Sequence, residues 1–469
     1  MDKATVVIVT LVAYKLVLIA IGFWASRRTH SADDFFLGGR GLGPVVAAIS
    51  YSSSASSAWT LLGMSGVAYV IGVSAIWLVV GSLTGMLVAW FWIAPRLMQF
   101  SREHNHITLT DFLVFDSAGT TRTAMLWVSS LIIIFSFVFY VAAQFQGAGN
   151  TFASTFDLPM NQSIVIGASI IMVYTLLGGF WAVSVTDTLQ GLLMAATAVL
   201  LPVVALLEVG GVAGFIAGLH AVSSEAQLSL TAGNAGLIAA GFIIGGISIG
   251  VGTYGQPHLL VRFMALRDER ALRQARLITI AWYLVVFLGM CFLGLVGHVL
   301  HNNIDNPETI FFVLTESLFS PVIGAILLAA VLSAIMSTAD SQLLVAASAI
   351  AHDLGLGRGK PSQMLLISRL TIVALVILSV LVAIYLPERI FSRVLFAWIA
   401  LGSAFGPLVF VRLAGRRVAP PAALCAIIIG FSLAVTFYLM PSTPGDILER
   451  LLPFSAGLLV LLVGSRPGR

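Results

Sequence analysis

The runs Ser50-Tyr51-Ser52-Ser53-Ser54-Ala55-Ser56-Ser57 and Gly245-Gly246-Ile247-Ser248-Ile249-Gly250-Val251-Gly252-Thr253-Tyr254-Gly255 interrupt stretches that are otherwise apolar enough to cross a bilayer. Small and hydroxylated residues at that depth have two explanations. They let helices pack closely, or they accompany an unwound segment whose backbone lines a cavity. The two runs lie five apolar stretches apart. Interrupted helices at corresponding places in two five-helix halves point to a mid-membrane binding site in an inverted-repeat transporter. The expected halves are 43–208, helices 2–6, and 234–413, helices 7–11; an odd number of helices per half forces opposite topology.

The rest of the chain agrees with a membrane setting. Of 469 residues, 59% are hydrophobic and 9% charged, against about 25% charged in average proteins, and the mean hydropathy is +1.03. Apolar stretches fall at 4–25, 43–70, 72–98, 123–150, 163–180, 186–208, 234–255, 277–299, 320–352, 364–386, 390–413, 421–440 and 451–465. At roughly 20 residues per span, they leave only short loops. The chain therefore reads as one all-α polytopic transporter domain over 1–469, with peripheral helix 1 at 4–25 and helices 12–13 at 421–465. No large soluble catalytic, sensor-kinase or nucleic-acid module is expected. Thr5 to Trp24 lacks a charged leader and a small-residue cleavage site, so it reads as the first helix. Cys291 and Cys425 lie in apolar runs and read as small hydrophobes, not a disulfide.

Charge sets the orientation. With the N-terminus outside and the C-terminus inside, nineteen Lys and Arg, Arg262 among them, fall at internal ends. Lys3, Arg389, Arg393 and Arg450 fall at external ends, which satisfies the positive-inside rule. The net charge of +4 thus reflects topology, and no nucleic-acid partner is indicated. Lys15, inside the first stretch, reads as a packing or snorkelling residue.

Two carboxylates sit plainly within the spans, Asp187 and Asp340, and intramembrane acids default to a functional hypothesis. Asp187 has two readings: a helix-start carboxylate that satisfies free N–H groups, or a second cation or proton station. Around Asp340, Ala334, Ser337 and Ser341 share one helix face, with Thr338 one step round. Carbonyls freed near Ser53 and Ser56 beside that stripe would complete an oxygen shell for a hard cation such as sodium. The alternative is that the hydroxyls only bond their own helix carbonyls. No Walker motif supports ATP-driven pumping, the histidines have no metal spacing, and no enzyme chemistry is expected.

Several separated blocks between about Asp33 and Leu413 resemble the sodium/solute symporter family, and within it the sodium/proline permeases. They are Asp34-Phe35-Phe36-Leu37-Gly38-Gly39-Arg40-Gly41-Leu42-Gly43-Pro44; Tyr174 to Ala182 followed by Thr186-Asp187; Gly255-Gln256-Pro257-His258 with Arg262-Phe263-Met264-Ala265; Met336-Ser337-Thr338 with Gln342-Leu343-Leu344; and Ala397-Trp398 leading into Ala404-Phe405-Gly406-Pro407. The resemblance implies a leucine-transporter-type fold of thirteen helices with a 5+5 inverted repeat. It implies a sodium ion held at Ser53, Ser56, Ala334, Ser337 and Thr338, and a second cation or proton site at Asp187, Asp340 and Ser341. It also implies functional roles for Arg40, Ser57 and Tyr140. Three positions depart from the proline permeases. Ala55 stands in place of a span 2 aspartate, and Ile249 and Thr253 in place of a span 7 Trp and Tyr.

The expectation is a sodium-coupled symporter that imports a small organic solute, an amino acid such as proline or a related zwitterion or carboxylate, by alternating access. Its partners are the solute, sodium and the lipid bilayer, without an obligatory protein partner, and its place is the cell membrane. Ser57, Trp59, Tyr140, Thr253 and Tyr254 are the expected solute contacts. A proton-coupled transporter of the same fold and a non-transporting solute receptor are the alternatives.

Overall fold

The computed structural model describes residues 3–26, 37–177, 179–356, 361–441 and 443–467. Arg27, Arg28, Asp34, Phe35, Phe36, Gly178, Arg358 and Lys360 of the sequence reading lie outside them. The helices are α1 (Lys3–Ser26), α2 (Pro44–Ala58), α3 (Ser65–Ile71), α4 (Ile76–Val88), α5 (Ala94–Glu103), α6 (Leu109–Leu113), α7 (Gly119–Phe156), α8 (Met160–Leu177), α9 (Phe180–Glu208) and α10 (Gly211–Val222). There follow α11 (Gly236–Ser248), α12 (Pro257–Met264), α13 (Glu269–Leu300), α14 (Ile310–Leu318), α15 (Pro321–Ser348), α16 (Pro361–Tyr385), α17 (Ile390–Leu413), α18 (Pro420–Tyr438) and α19 (Ile447–Val463).

Every apolar stretch of the sequence overlaps one or more of these helices. Among the described residues, nine helical runs are long and apolar enough to cross a membrane, and Pro44–Glu103 is counted as one of them. That run holds two of the expected spans, divided at Gly72. There the backbone turns to φ 67°, which glycine accepts without a Cβ penalty. Residues 209–233, read as a loop, contain the apolar helix α10, which seats Phe215 against Phe292 of α13 at 4.9 Å. At twelve residues it is too short to span a bilayer.

The centre is formed by α2, α7, α9, α13, α15 and α17, which pack on one another. α15 and α17 are buried along most of their length, whereas α1, α16 and α19 carry many exposed Leu, Ile and Val side chains. Exposed apolar residues on outer helices are what a lipid-facing surface requires. Cys291 is buried, as its apolar reading expects, and Cys425 is exposed. A two-stranded antiparallel clip, β1 (Arg416–Val418) with β2 (Ser465–Pro467), ties the end of α17 to the chain after α19.

Candidate substrate and cation sites

Both interruptions read from the sequence are present. In the first, Ser57 closes α2 at φ 54°, ψ −171°, and the chain resumes as a wider helical turn over Trp59–Met64. A helix restarted inside protein leaves N–H groups to satisfy. The Ala58 N–H donates to Gln144 Oε1 at 3.0 Å, and the Trp59 N–H to Ser57 Oγ at 3.1 Å. In the second, α11 tightens into a 3-10 helix over Ile249–Gly255. Trp398 Nε1 donates to the Ile249 carbonyl at 3.1 Å, and Gln256 Nε2 donates to the carbonyls of Gly252 and Trp398, both at 2.9 Å. Gly252 is obligatory for this contact: a Cβ there would stand 1.9 Å from Trp398 Cδ1.

Between the two breaks lies a small cavity of about 20 Å3 lined by Ala55, Trp59, Tyr140, Ile249, Thr253 and Trp398, with Ser82, Tyr283, Phe287, Val394 and Leu395 completing the wall. Among the described residues, no charged side chain lines it. Tyr283 stacks on Phe287 at 4.9 Å, and Trp59 stacks on Phe391 at 5.8 Å. Tyr140 donates to Ser57 Oγ at 3.5 Å. Of the expected contacts, Trp59, Tyr140 and Thr253 line the cavity, and Ser57 stands behind Tyr140. Tyr254 does not. It packs on Phe410 at 4.8 Å and on Phe454 at 6.2 Å, because one step of a 3-10 helix turns a side chain by about 120°. The three positions that depart from the proline permeases, Ala55, Ile249 and Thr253, all line this one cavity.

Phe391 also borders a larger cavity lined in part by Trp77, Glu308, Arg389, Asp446 and Arg450. The Glu308 carboxylate accepts the N–H groups of Ile390 at 3.2 Å and Phe391 at 3.0 Å, and so caps the start of α17. Burial holds its pKa above the ordinary 4.5, with the two N–H donors and nearby Arg389 and Arg393 pulling the other way.

The proposed oxygen shell is assembled from α2 and α15, which lie in direct contact. Thr338 Oγ1 donates to the carbonyls of Ser54 at 3.0 Å and Ala334 at 3.1 Å, and Ser54 Oγ donates to the Ser337 carbonyl at 3.0 Å. Ser337 Oγ donates to the Ala334 carbonyl at 3.2 Å. Ser53 Oγ lies 3.3 Å from the carbonyls of Ser50 and Asp187, and the buried Ser56 Oγ has no hydrogen-bond partner among the described residues. The hydroxyls thus bond helix carbonyls, but a donating hydroxyl keeps lone pairs for a hard cation.

Asp187 is two turns inside α9, which begins at Phe180, so the helix-start reading does not hold. Arg262, placed by the sequence among the internal charges, is 1% exposed and pairs with Asp187 Oδ2 at 2.8 Å. Ser341 joins that group, bonding Arg262 Nη2 at 2.7 Å. Asp340 does not join it. It accepts a hydrogen bond from Thr175 of α8, because adjacent residues on a helix point about 100° apart. Lys15 turns inward against Met336 rather than snorkelling. Arg40 lies outside the cavity and bonds the carbonyls of Ser101, His106 and Met264.

Sequence spacing missed one further group, Asp111, His352 and Asp353, whose ligand atoms lie within 4.8 Å of one another. One oxygen of each carboxylate is already engaged. Asp111 Oδ2 accepts the N–H groups of Ile107 and Thr108, and Asp353 Oδ1 accepts from the Thr108 hydroxyl at 2.9 Å and lies 3.0 Å from His352 Nδ1.

The profile of the Sodium:solute symporter family matches residues 35–430. The chain is 36% identical to the osmoregulated proline transporter OpuE of Bacillus subtilis, with 99% of this chain and 96% of that protein covered. It is 34% identical to sodium/proline symporter 2 of Staphylococcus saprophyticus, over 90% of this chain and 84% of that one. Among solved structures, a Na+-coupled sialic acid symporter in a substrate-bound outward-open state superposes with a TM-score of 0.79 at 18% identity, covering 99% of this chain and 100% of that one. At that identity the likeness carries the fold alone, a helical transporter fold of the leucine-transporter type.

Proposed function

The chain belongs to the sodium:solute symporter family, and from that premise we propose that its solute is L-proline or a cyclic zwitterion of similar size. It is a multi-pass protein of the cell membrane, a sodium-coupled solute symporter and not an enzyme. The observation that carries the choice of solute is the uncharged, aromatic-walled cavity between the two interrupted helices. A compact apolar ring suits walls of Trp59, Tyr140, Tyr283, Phe287 and Trp398. The zwitterion's opposite charges suit the backbone dipoles of the breaks, since half-helix ends hold charge without formal counter-ions. Thr253 and Ser57 supply hydroxyls, Ile249 and Thr253 stand in place of larger aromatics, and the cavity, at about 20 Å3, must widen to admit the solute.

The coupling ion binds, in this reading, at Ser53, Ser56, Ala334, Ser337 and Thr338. Support comes from the contact of α2 with α15 and from the unpartnered Ser56 hydroxyl. We extend the proposal to the topology: halves 43–208 and 234–413 related by an inverted repeat, thirteen spans, N-terminus outside and C-terminus inside. The matched positions of the breaks and the charge bias support it.

Proteoliposomes given an inward sodium gradient should accumulate labelled proline, with none in potassium or choline. Accumulation driven by a pH gradient in sodium-free medium would favour the proton-coupled alternative. Equal uptake in all three cations would remove the sodium coupling, and sodium-dependent uptake of other amino acids but not proline would remove the solute. Ser337→Ala and Thr338→Ala should each raise the sodium concentration for half-maximal uptake about tenfold, the equivalent of about 1.4 kcal/mol for one lost ligand oxygen, with less effect on maximal rate. Unchanged sodium dependence in both would leave the stripe a packing feature.

A further inference from the structure

Arg262 stands where four side-chain oxygens converge. Its Nη2 donates to Asp187 Oδ2 at 2.8 Å, to Ser54 Oγ at 2.8 Å and to Ser341 Oγ at 2.7 Å, while Nε donates to Ser50 Oγ at 2.8 Å. Its Nη1 bonds the His258 carbonyl, one turn back on α12. Arg262 and Asp187 are 1% and 0% exposed.

A buried carboxylate with three hydroxyls aimed at one point is the donor set of a hard cation. Here a unit positive charge from the chain itself occupies that focus. A free ion would have to share the same oxygens with the guanidinium, at close range and away from water, where like charges repel strongly. Arginine also keeps its proton under all ordinary conditions, so the charge does not leave with pH. The four oxygens come from α2, α9 and α15, three of the helices that also build the oxygen shell around Ser337 and Thr338 or pack against it.

We propose that Arg262 is a tethered second cation: it fills the position bounded by Asp187, Ser54 and Ser341, so the chain binds one sodium ion fewer than its oxygen-lined positions would hold. This rests on the sodium-coupled reading above only for the first ion. The tethered charge keeps α9 and α15 joined to α12 when no sodium is present, and it fixes the coupling at one sodium per solute.

The test counts bound 22Na+ on the purified full chain by scintillation proximity. Wild type should saturate at one ion. Arg262→Gln should saturate at two, because the carboxylate and hydroxyls are released to a free ion, and the double variant D187N/R262Q should return to one. Equal counts in wild type and folded Arg262→Gln overturn the inference, as does a wild-type count of two. A wild-type count of zero would instead refute the sodium shell at Ser337 and Thr338, and a rise from zero to one in Arg262→Gln would still uphold the tethered cation. Should Arg262→Gln not fold, wild-type proteoliposomes at zero membrane potential decide. Solute accumulation that follows the first power of the sodium gradient is expected, and accumulation that follows its square overturns the proposal.

Discussion

The two helix interruptions that flank the cavity are built by opposite means. At the first, one residue takes all the distortion. Ser57 has φ 54° and ψ −171°, a region that costs a non-glycine residue of order 1–3 kcal/mol, and a side chain from α7, Gln144, receives the freed N–H. At the second, none of residues 249–255 has a positive φ. The chain simply tightens over seven residues, and α17 holds it through Trp398 while Gln256 bonds the carbonyls of both Gly252 and Trp398. A single strained residue makes a sharp, local hinge; a tightened glycine-rich segment makes a soft one that depends on its neighbour for shape.

That contrast predicts a graded set of effects. Gly252→Ala should do most damage, since its Cβ would meet Trp398 at 1.9 Å; overpacking of this kind costs about 3 kcal/mol. Loss of the folded, monodisperse protein or of proline uptake is expected, and normal transport would show that α17 does not clamp the segment. Gln144→Leu comes next. It leaves the buried Ala58 N–H unpaired, a loss of about 1–3 kcal/mol, visible as a lower melting temperature.

Ser57 should respond by backbone rather than by size. Ser57→Gly relieves the strained dihedral while losing one hydrogen bond, so stability should stay within about 1 kcal/mol of wild type. Ser57→Ala keeps the strain and loses the bond, and should be the less stable of the two. The reverse order in thermal melts would mean that the dihedral is not strained.

The smallest effect concerns the cap on α17. Because the folded protein holds the Glu308 proton more tightly than the unfolded chain does, ionising Glu308 disfavours the folded state. Its contribution is full below the ordinary carboxylate pKa of 4.5 and is lost as pH rises above it. Glu308→Gln should flatten that part of the stability profile; an unchanged slope would remove Glu308 as its source.

Much of this was legible in the residues. Period and composition placed the helices, because a lipid-facing helix must be apolar along its whole length. The serine run and the glycine run pointed to the breaks, although close helix packing explains such runs as well; the backbone at Ser57 and over Ile249–Gly255 decides between the two. The aromatic wall was harder to see. Tyr283, Phe287 and Trp398 look like any other aromatics among 10% of the chain, and no spacing tells a cavity wall from a packed core. The family resemblance groups Asp340 and Ser341 in one cation site, yet helix geometry sends them to different neighbours.

The sequence by itself determined that this chain lies in a membrane, where its helices and their breaks fall, and which transporter family it belongs to. Those follow from local composition and from motifs that each sit on one stretch of chain. Only the tertiary structure decided which charges meet. Arg262 and Asp187 are seventy-five residues apart and look respectively like a loop charge and a helix start. Packing of α12 against α2 and α15 removes both from water, and a buried charge must then find its counter-charge. The 3-10 turn over Ile249–Gly255, likewise, sends Tyr254 away from the cavity that Thr253 lines.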